Sequence, residues 1–222
     1  YTVDYYPGEE VTVEFYRSLP THGYGIIIFR VHSSATNPDM TEGPVTLFTS
    51  EHYDKTKYVY EQLTDQLVKV GFSQEERKKG IEYFGINPPF VTYTMKGRFQ
   101  NTTIVMMGCE GLNNPLMAKA FVKKGAKVYI SWDKSVSVSH TDLATTHLLQ
   151  HFLIEKRTVK EAIRETFKDV GADPAYRSLL LYYPLEAGDY TIQNIIDTQV
   201  IVSTIVETKH NEFSGTDYHE NI

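Results

Sequence analysis

Between Thr103 and Ile130 the chain spells out one folding unit, and that unit constrains the whole. Thr103-Ile-Val-Met-Met107 is an apolar run that stops at Gly108. Pro115 to Lys124 then reads as a helix with Leu116, Ala120 and Phe121 inward. Gly125 is placed to cap it, and Ala126-Lys-Val-Tyr-Ile130 returns as a strand. Strand, helix and strand in so short a span make a βαβ unit, whose two strands pair in parallel. Gly25-Ile-Ile-Ile-Phe-Arg-Val31 is a second continuous apolar run, as expected of a strand buried on both faces of a parallel sheet. A further strand is expected at 178–182, stopped by Pro184, and helices at 57–70, 142–155 and 158–167. The last opens on Thr158-Val-Lys-Glu161, a capping box. The fold class is therefore α/β, a mostly parallel central sheet with helices on both faces.

With 222 residues and no linker-like tract, one domain spanning 1–222 is expected, its core at about 25–184. Alternation in Val11-Thr-Val-Glu-Phe15 predicts an N-terminal edge strand. Residues 190–206 predict a terminal strand or hairpin, and a polar tail follows. Residues 45–48 predict a short strand after a polar loop, the charged stretch 74–80 a solvated helix or loop, and 90–93 a brief strand.

A net charge of −6 argues against a nucleic-acid partner, which needs clustered positive charge. No stretch is apolar for long enough to span a bilayer. No leader pattern is read, and since the sequence starts at Tyr1 rather than Met, that excludes no compartment.

The chemistry is expected at the carboxyl ends of the parallel strands, where such sheets bind ligands. Three strand ends carry reactive or polar groups: His32, Cys109 and Asp133. Cys109 is the only cysteine, so no internal disulfide competes for it. A thiol needs a base or a lowered pKa to attack a carbonyl, and His32 would supply the base if the two strands are neighbours. The amides of Cys109 and Ser33 would then face a developing oxyanion. The residues alone leave two readings of Cys109 open, a buried core thiol or a nucleophile. His22-Gly23 precedes its strand and would lie at the opposite sheet edge. His147 and His151 stand four apart, a zinc-compatible spacing. The metalloprotease pattern, however, needs Glu where Leu148 stands, and no metal or other cofactor is assigned from the sequence.

A buried strand ending in His32-Ser-Ser34, and a second ending in Gly108-Cys-Glu-Gly111, resemble the caspase-like (clan CD) cysteine peptidases. Met107-Gly-Cys-Glu-Gly-Leu112, with Ala118-Lys-Ala-Phe-Val-Lys-Lys-Gly-Ala126 and Tyr129-Ile-Ser-Trp132, is most similar to the CHAT, separase and clostripain-like branches. Thr141-Asp142 and Thr158-Val-Lys-Glu-Ala162 extend the likeness over about residues 25–184. The resemblance implies Cys109 as nucleophile, His32 as general acid/base, and an oxyanion hole from the amides of Cys109 and Ser33. The family most often carries Gly where Ser33 stands. It further implies a specificity pocket beyond the nucleophile strand, for which Asp133, Trp132 and Gly108 are the candidates. An acid at 133 would select Arg or Lys by charge pairing. The expected function is thus a thiol endopeptidase acting on a protein or peptide substrate. The alternative is a catalytically silent caspase-like domain that serves as a binding or scaffold module.

Overall fold

A computed structural model describes residues 2–35 and 43–195, and the backbone of 202–207. In chain order its regular elements are β1 (Thr2–Tyr6), α1 (Val13–Ser18), β2 (Ile26–Arg30), β3 (Ser33–Ala35), β4 (Val45–His52), α2 (Val59–Leu63), β5 (Leu67–Val70), α3 (Gln74–Lys78) and β6 (Tyr83–Ile86). There follow β7 (Thr102–Met106), α4 (Leu116–Lys123), β8 (Ala126–Trp132), α5 (Val138–Leu149), α6 (Val159–Val170), β9 (Leu180–Tyr183), α7 (Ile192–Ile195) and β10 (Val202–Glu207).

The protein is α/β. Six strands form one sheet in the order β1-β10-β2-β7-β8-β9, all parallel except β9, which runs antiparallel to β8 at the edge. Four more form an antiparallel sheet, β3-β4-β6-β5. The expected βαβ unit is present: β7 and β8 pair in parallel, with Ile104 opposite Tyr129, and α4 connects them. β2 and β7 are buried along their length because each side chain meets a covered face, which is why both read as unbroken apolar runs. One apolar core joins Ile27, Phe29, Ile104 and Met106 to Phe121 of α4 and to Phe84 and Leu47 of the smaller sheet. A second joins Ile26, Ile28, Val105 and Ile130 to Leu148, Phe152 and Ala162 on the opposite face. Among the described residues no helix is long and apolar enough to cross a membrane.

Several local expectations are corrected. Residues 11–15 are not a strand: Thr12 caps α1, its side chain accepting from the amide of Phe15, and Val13 and Tyr16 face the core. The single helix expected over 57–70 is a five-residue helix and then a strand. Asp65, at φ 54, turns the chain between them, and Leu67 enters the core while Leu63 stays exposed. After Pro88-Pro89 the segment Phe90–Thr94 is a widened helical turn, not a strand. Leu116, expected inward, is exposed at the start of α4. Residues 192–195, within the stretch expected to be extended, are helical, and the predicted terminal strand is present as β10. The capping box at Thr158 forms as read, with Glu161 reaching back to the Thr158 amide. Most of the polar loop after Ser34, residues 36–42, and the tail beyond 207 lie outside the described residues.

Candidate active site at the strand ends

β2 and β7 are direct neighbours, with Phe29 opposite Met106, and the Met107 amide extends the ladder by donating to the Phe29 carbonyl at 2.9 Å. His32 lies three positions past Phe29 and Cys109 three past Met106 (32 − 29 and 109 − 106). Adjacent strands lie about 4.8 Å apart, so both residues leave the same sheet edge at matching depth. The hydroxyl of Ser33 donates to the carbonyl of Cys109, which ties the two strand ends together. Gly108 is forced by this close approach. A Cβ there would collide with the Val31 carbonyl and the Ser33 hydroxyl.

The two reactive side chains face different neighbours. The His32 ring sits edge-on to Phe72 at 5.0 Å and 6.1 Å from Phe48, on the side of the antiparallel sheet. Cys109 packs against Trp132, Val136 and Ala144. Its sulfur accepts from the Val136 amide at 3.4 Å and donates to the Val136 carbonyl at 3.7 Å. Burial pushes the Cys109 thiol above its ordinary pKa. The Val136 amide opposes that rise, while the charges of Glu110 and Asp173 add to it. The thiol is therefore protonated in this arrangement.

An acidic frame surrounds it. Glu110, at φ 61 and buried, accepts from the Ala35 amide at 2.6 Å and the Ser135 hydroxyl at 3.2 Å. One carboxylate thus joins the ends of β3, β7 and β8. Asp173, fully buried, accepts from the amides of Ser137, Ala175 and Tyr176 and from the Ser137 hydroxyl. Burial alone would raise its carboxyl pKa, but donors from Ser137, Tyr176 and Ala175 outweigh that and hold it below the usual carboxylate value. Asp133 stands at the end of β8 as expected, and its carboxylate accepts from the Leu179 amide at 2.7 Å, clamping the approach to β9. Trp132 is core: it is buried, and its indole donates to the Thr141 hydroxyl at 2.9 Å.

Thr141 and Asp142, neighbours on α5, reach the two reactive strands. The Thr141 hydroxyl donates to the Met107 carbonyl at 3.0 Å. Asp142 forms a two-pronged pair with Arg30, at 2.9 and 3.0 Å. This pair of residues thereby fixes both strand ends against one helix. His22, at the amino-terminal side of β2, packs on Tyr6 and Tyr24, far from this edge in the strand direction. Phe72, Ser135, Val136 and Asp173 lie in no chemical motif of the sequence. Only Asp173, in the helix-ending Gly171-Ala-Asp-Pro174, carries a local signal, that of a turn.

Compared with protein-family models and with curated proteins, the chain matches none.

Proposed function

We propose that this protein is a caspase-like cysteine endopeptidase whose thiol is held here in a resting position. The observation that carries the reading is the matched placement of His32 and Cys109 on neighbouring parallel strands, joined by the Ser33–Cys109 hydrogen bond. In the reaction, rotation of the Cys109 side chain away from Val136 brings the sulfur out of its apolar nook. His32 takes its proton, the thiolate attacks the scissile carbonyl, and the amides of Cys109 and Ser33 receive the oxyanion. The tetrahedral adduct collapses as His32 returns the proton to the leaving amine, and water then hydrolyses the thioester. Glu110, Asp173 and Asp133 make the edge negative, which favours a substrate with Arg or Lys before the cleaved bond. Asp133 is the residue assigned to that choice.

A second reading, a catalytically silent domain of the same fold that binds a partner, is favoured by one specific observation. The thiol is hydrogen-bonded to Val136 in a buried setting that raises its pKa, the opposite of an activated nucleophile. The test separating the two is turnover of fluorogenic peptides ending in Arg or Asp, beside a Cys109→Ala variant. Cleavage after Arg, abolished by Cys109→Ala, supports the peptidase. No turnover of any peptide leaves the binding module, and cleavage after Asp alone removes the role of Asp133.

A further inference from the structure

His147 and His151 sit one helical turn apart, and the fold adds the third donor that their sequence neighbourhood lacks. α5 and the widened turn Gln150–Ile154 that continues it pack against α6, which brings Asp169 to both rings. His147 Nδ1 lies 2.9 Å from Asp169 Oδ2, and His151 Nε2 lies 2.7 Å from the same oxygen. The three donor atoms all fall within 4.8 Å of one another. A carboxylate oxygen facing two imidazole nitrogens is satisfied either by an N–H from each ring or by a cation shared among the three. The far nitrogen of His151, Nδ1, is 3.1 Å from Glu155 Oε2, at ion-pair distance though off the line of a hydrogen bond. Glu155 is held in turn by Arg157 at 2.7 Å. A carboxylate behind a histidine, on the nitrogen facing away, is the arrangement that orients metal-binding imidazoles.

We propose that His147, His151 and Asp169 form a binding site for Zn²⁺ or a similar borderline divalent cation, one that staples α5 to α6. The donor set decides the class: two imidazole nitrogens and one carboxylate oxygen suit zinc, whereas Mg²⁺ and Ca²⁺ need shells of oxygen. The geometry is within reach. Zinc bonds of about 2.0–2.1 Å at tetrahedral angles put ligand atoms roughly 3.3–3.4 Å apart. Each nitrogen must therefore retreat from the Asp169 oxygen by about half an ångström, and the two nitrogens, within 4.8 Å of each other, must close to the same spacing by side-chain rotation. The side chains of His147 and Asp169 are 36% and 37% exposed, so the ion has an open approach and room for water as its fourth ligand. The site is independent of the peptidase reading, because none of its residues takes part in that chemistry.

Chelator-treated protein titrated with Zn²⁺ in a calorimeter tests the site, with Co²⁺ as a spectroscopic stand-in. The expected result is saturable one-to-one binding that is weakened about tenfold or more by His147→Ala, His151→Ala or Asp169→Asn. The Co²⁺ spectrum should lack a thiolate charge-transfer band, which separates the site from Cys109. In the unaltered chain, Zn²⁺ should protect His147 and His151 from diethyl pyrocarbonate, mapped by mass spectrometry, a readout that needs no variant to fold. Absence of stoichiometric binding, equal affinity in Asp169→Asn, or unprotected rings at saturating Zn²⁺ would each overturn the proposal.

Discussion

The ends of β2 and β7 are neighbours built alike and surrounded differently. Each is a buried parallel strand that releases a reactive side chain three residues past the last paired position. Beyond β2, the chain turns at once into β3 and the antiparallel sheet, so His32 lands among aromatic rings, Phe48 and Phe72. Beyond β7, the chain folds back along β8, with Glu110 and Leu112 donating to the carbonyls of Lys134 and Trp132. Cys109 therefore lands in an apolar nook, hydrogen-bonded to Val136 and within the field of Glu110 and Asp173. Equal placement along two strands does not give equal chemistry, because each side chain takes its properties from the element that follows its strand.

The comparison is broken most severely by removing either partner. With a dyad, Cys109→Ala and His32→Ala each lower peptide turnover by about 10³-fold or more, and by similar factors, because the two act as a unit. Loss on Cys109→Ala alone, with His32→Ala near wild type, would make the likeness of the two strand ends incidental.

Asp173→Ala strips the acceptor from four donors in a fully buried site. Unfolding by urea should show a loss of roughly 3 kcal/mol or more, the scale of several orphaned buried donors. Because folding holds this carboxyl below its ordinary pKa, its contribution is present above about pH 4 and lost as pH falls through the lowered value. The wild type should thus lose stability on acidification more steeply than the variant.

Glu110→Ala tests the acidic side more gently. It frees the Ala35 amide and the Ser135 hydroxyl and should cost about 1–3 kcal/mol. It also removes a charge that raises the Cys109 pKa, so alkylation of the thiol should reach its half-maximal rate at lower pH than in wild type. An unchanged alkylation profile would show that burial alone sets the thiol.

Phe72→Ala sharpens the aromatic side with the smallest effect. It removes the edge contact with His32 and those with Phe48 and Tyr83. Phe72 is half-buried, so a loss of about 1–2 kcal/mol is expected, below the range for fully buried rings.

What the sequence revealed and concealed follows the same division. β2, β7, α4 and β8 were legible because burial on both faces and a short crossover leave strong local patterns. Those elements also place His32, Cys109 and Asp133 at one edge. The antiparallel sheet was largely illegible. β5 pairs with β6 through contacts that local periodicity does not encode, and Val59 and Leu63 mimic a core stripe while remaining exposed. The α1 segment alternates for five residues, yet Thr12 stands where a helix cap is needed, and the short alternation loses to the cap. The setting of Cys109 was hidden for a similar reason. Val136 and Asp173 reach it from loops 27 and 64 positions away (136 − 109 and 173 − 109), with no spacing rule to announce them. Asp142 stands at the start of the helix expected over 142–155, but its pairing with Arg30 depends on which strand α5 crosses.

On the proposed reading, the thiol beside Val136 is a resting nucleophile and not a core cysteine. A peptidyl acyloxymethyl ketone ending in Arg needs both a thiolate and a base within reach, and mass spectrometry of the labelled chain reads its adduct directly. Stoichiometric labelling of Cys109 that is lost in His32→Ala is expected, even though iodoacetamide should react slowly with the unliganded thiol and titrate it above the ordinary thiol range. No adduct on Cys109 in the wild-type chain, or equal labelling in His32→Ala, would contradict it.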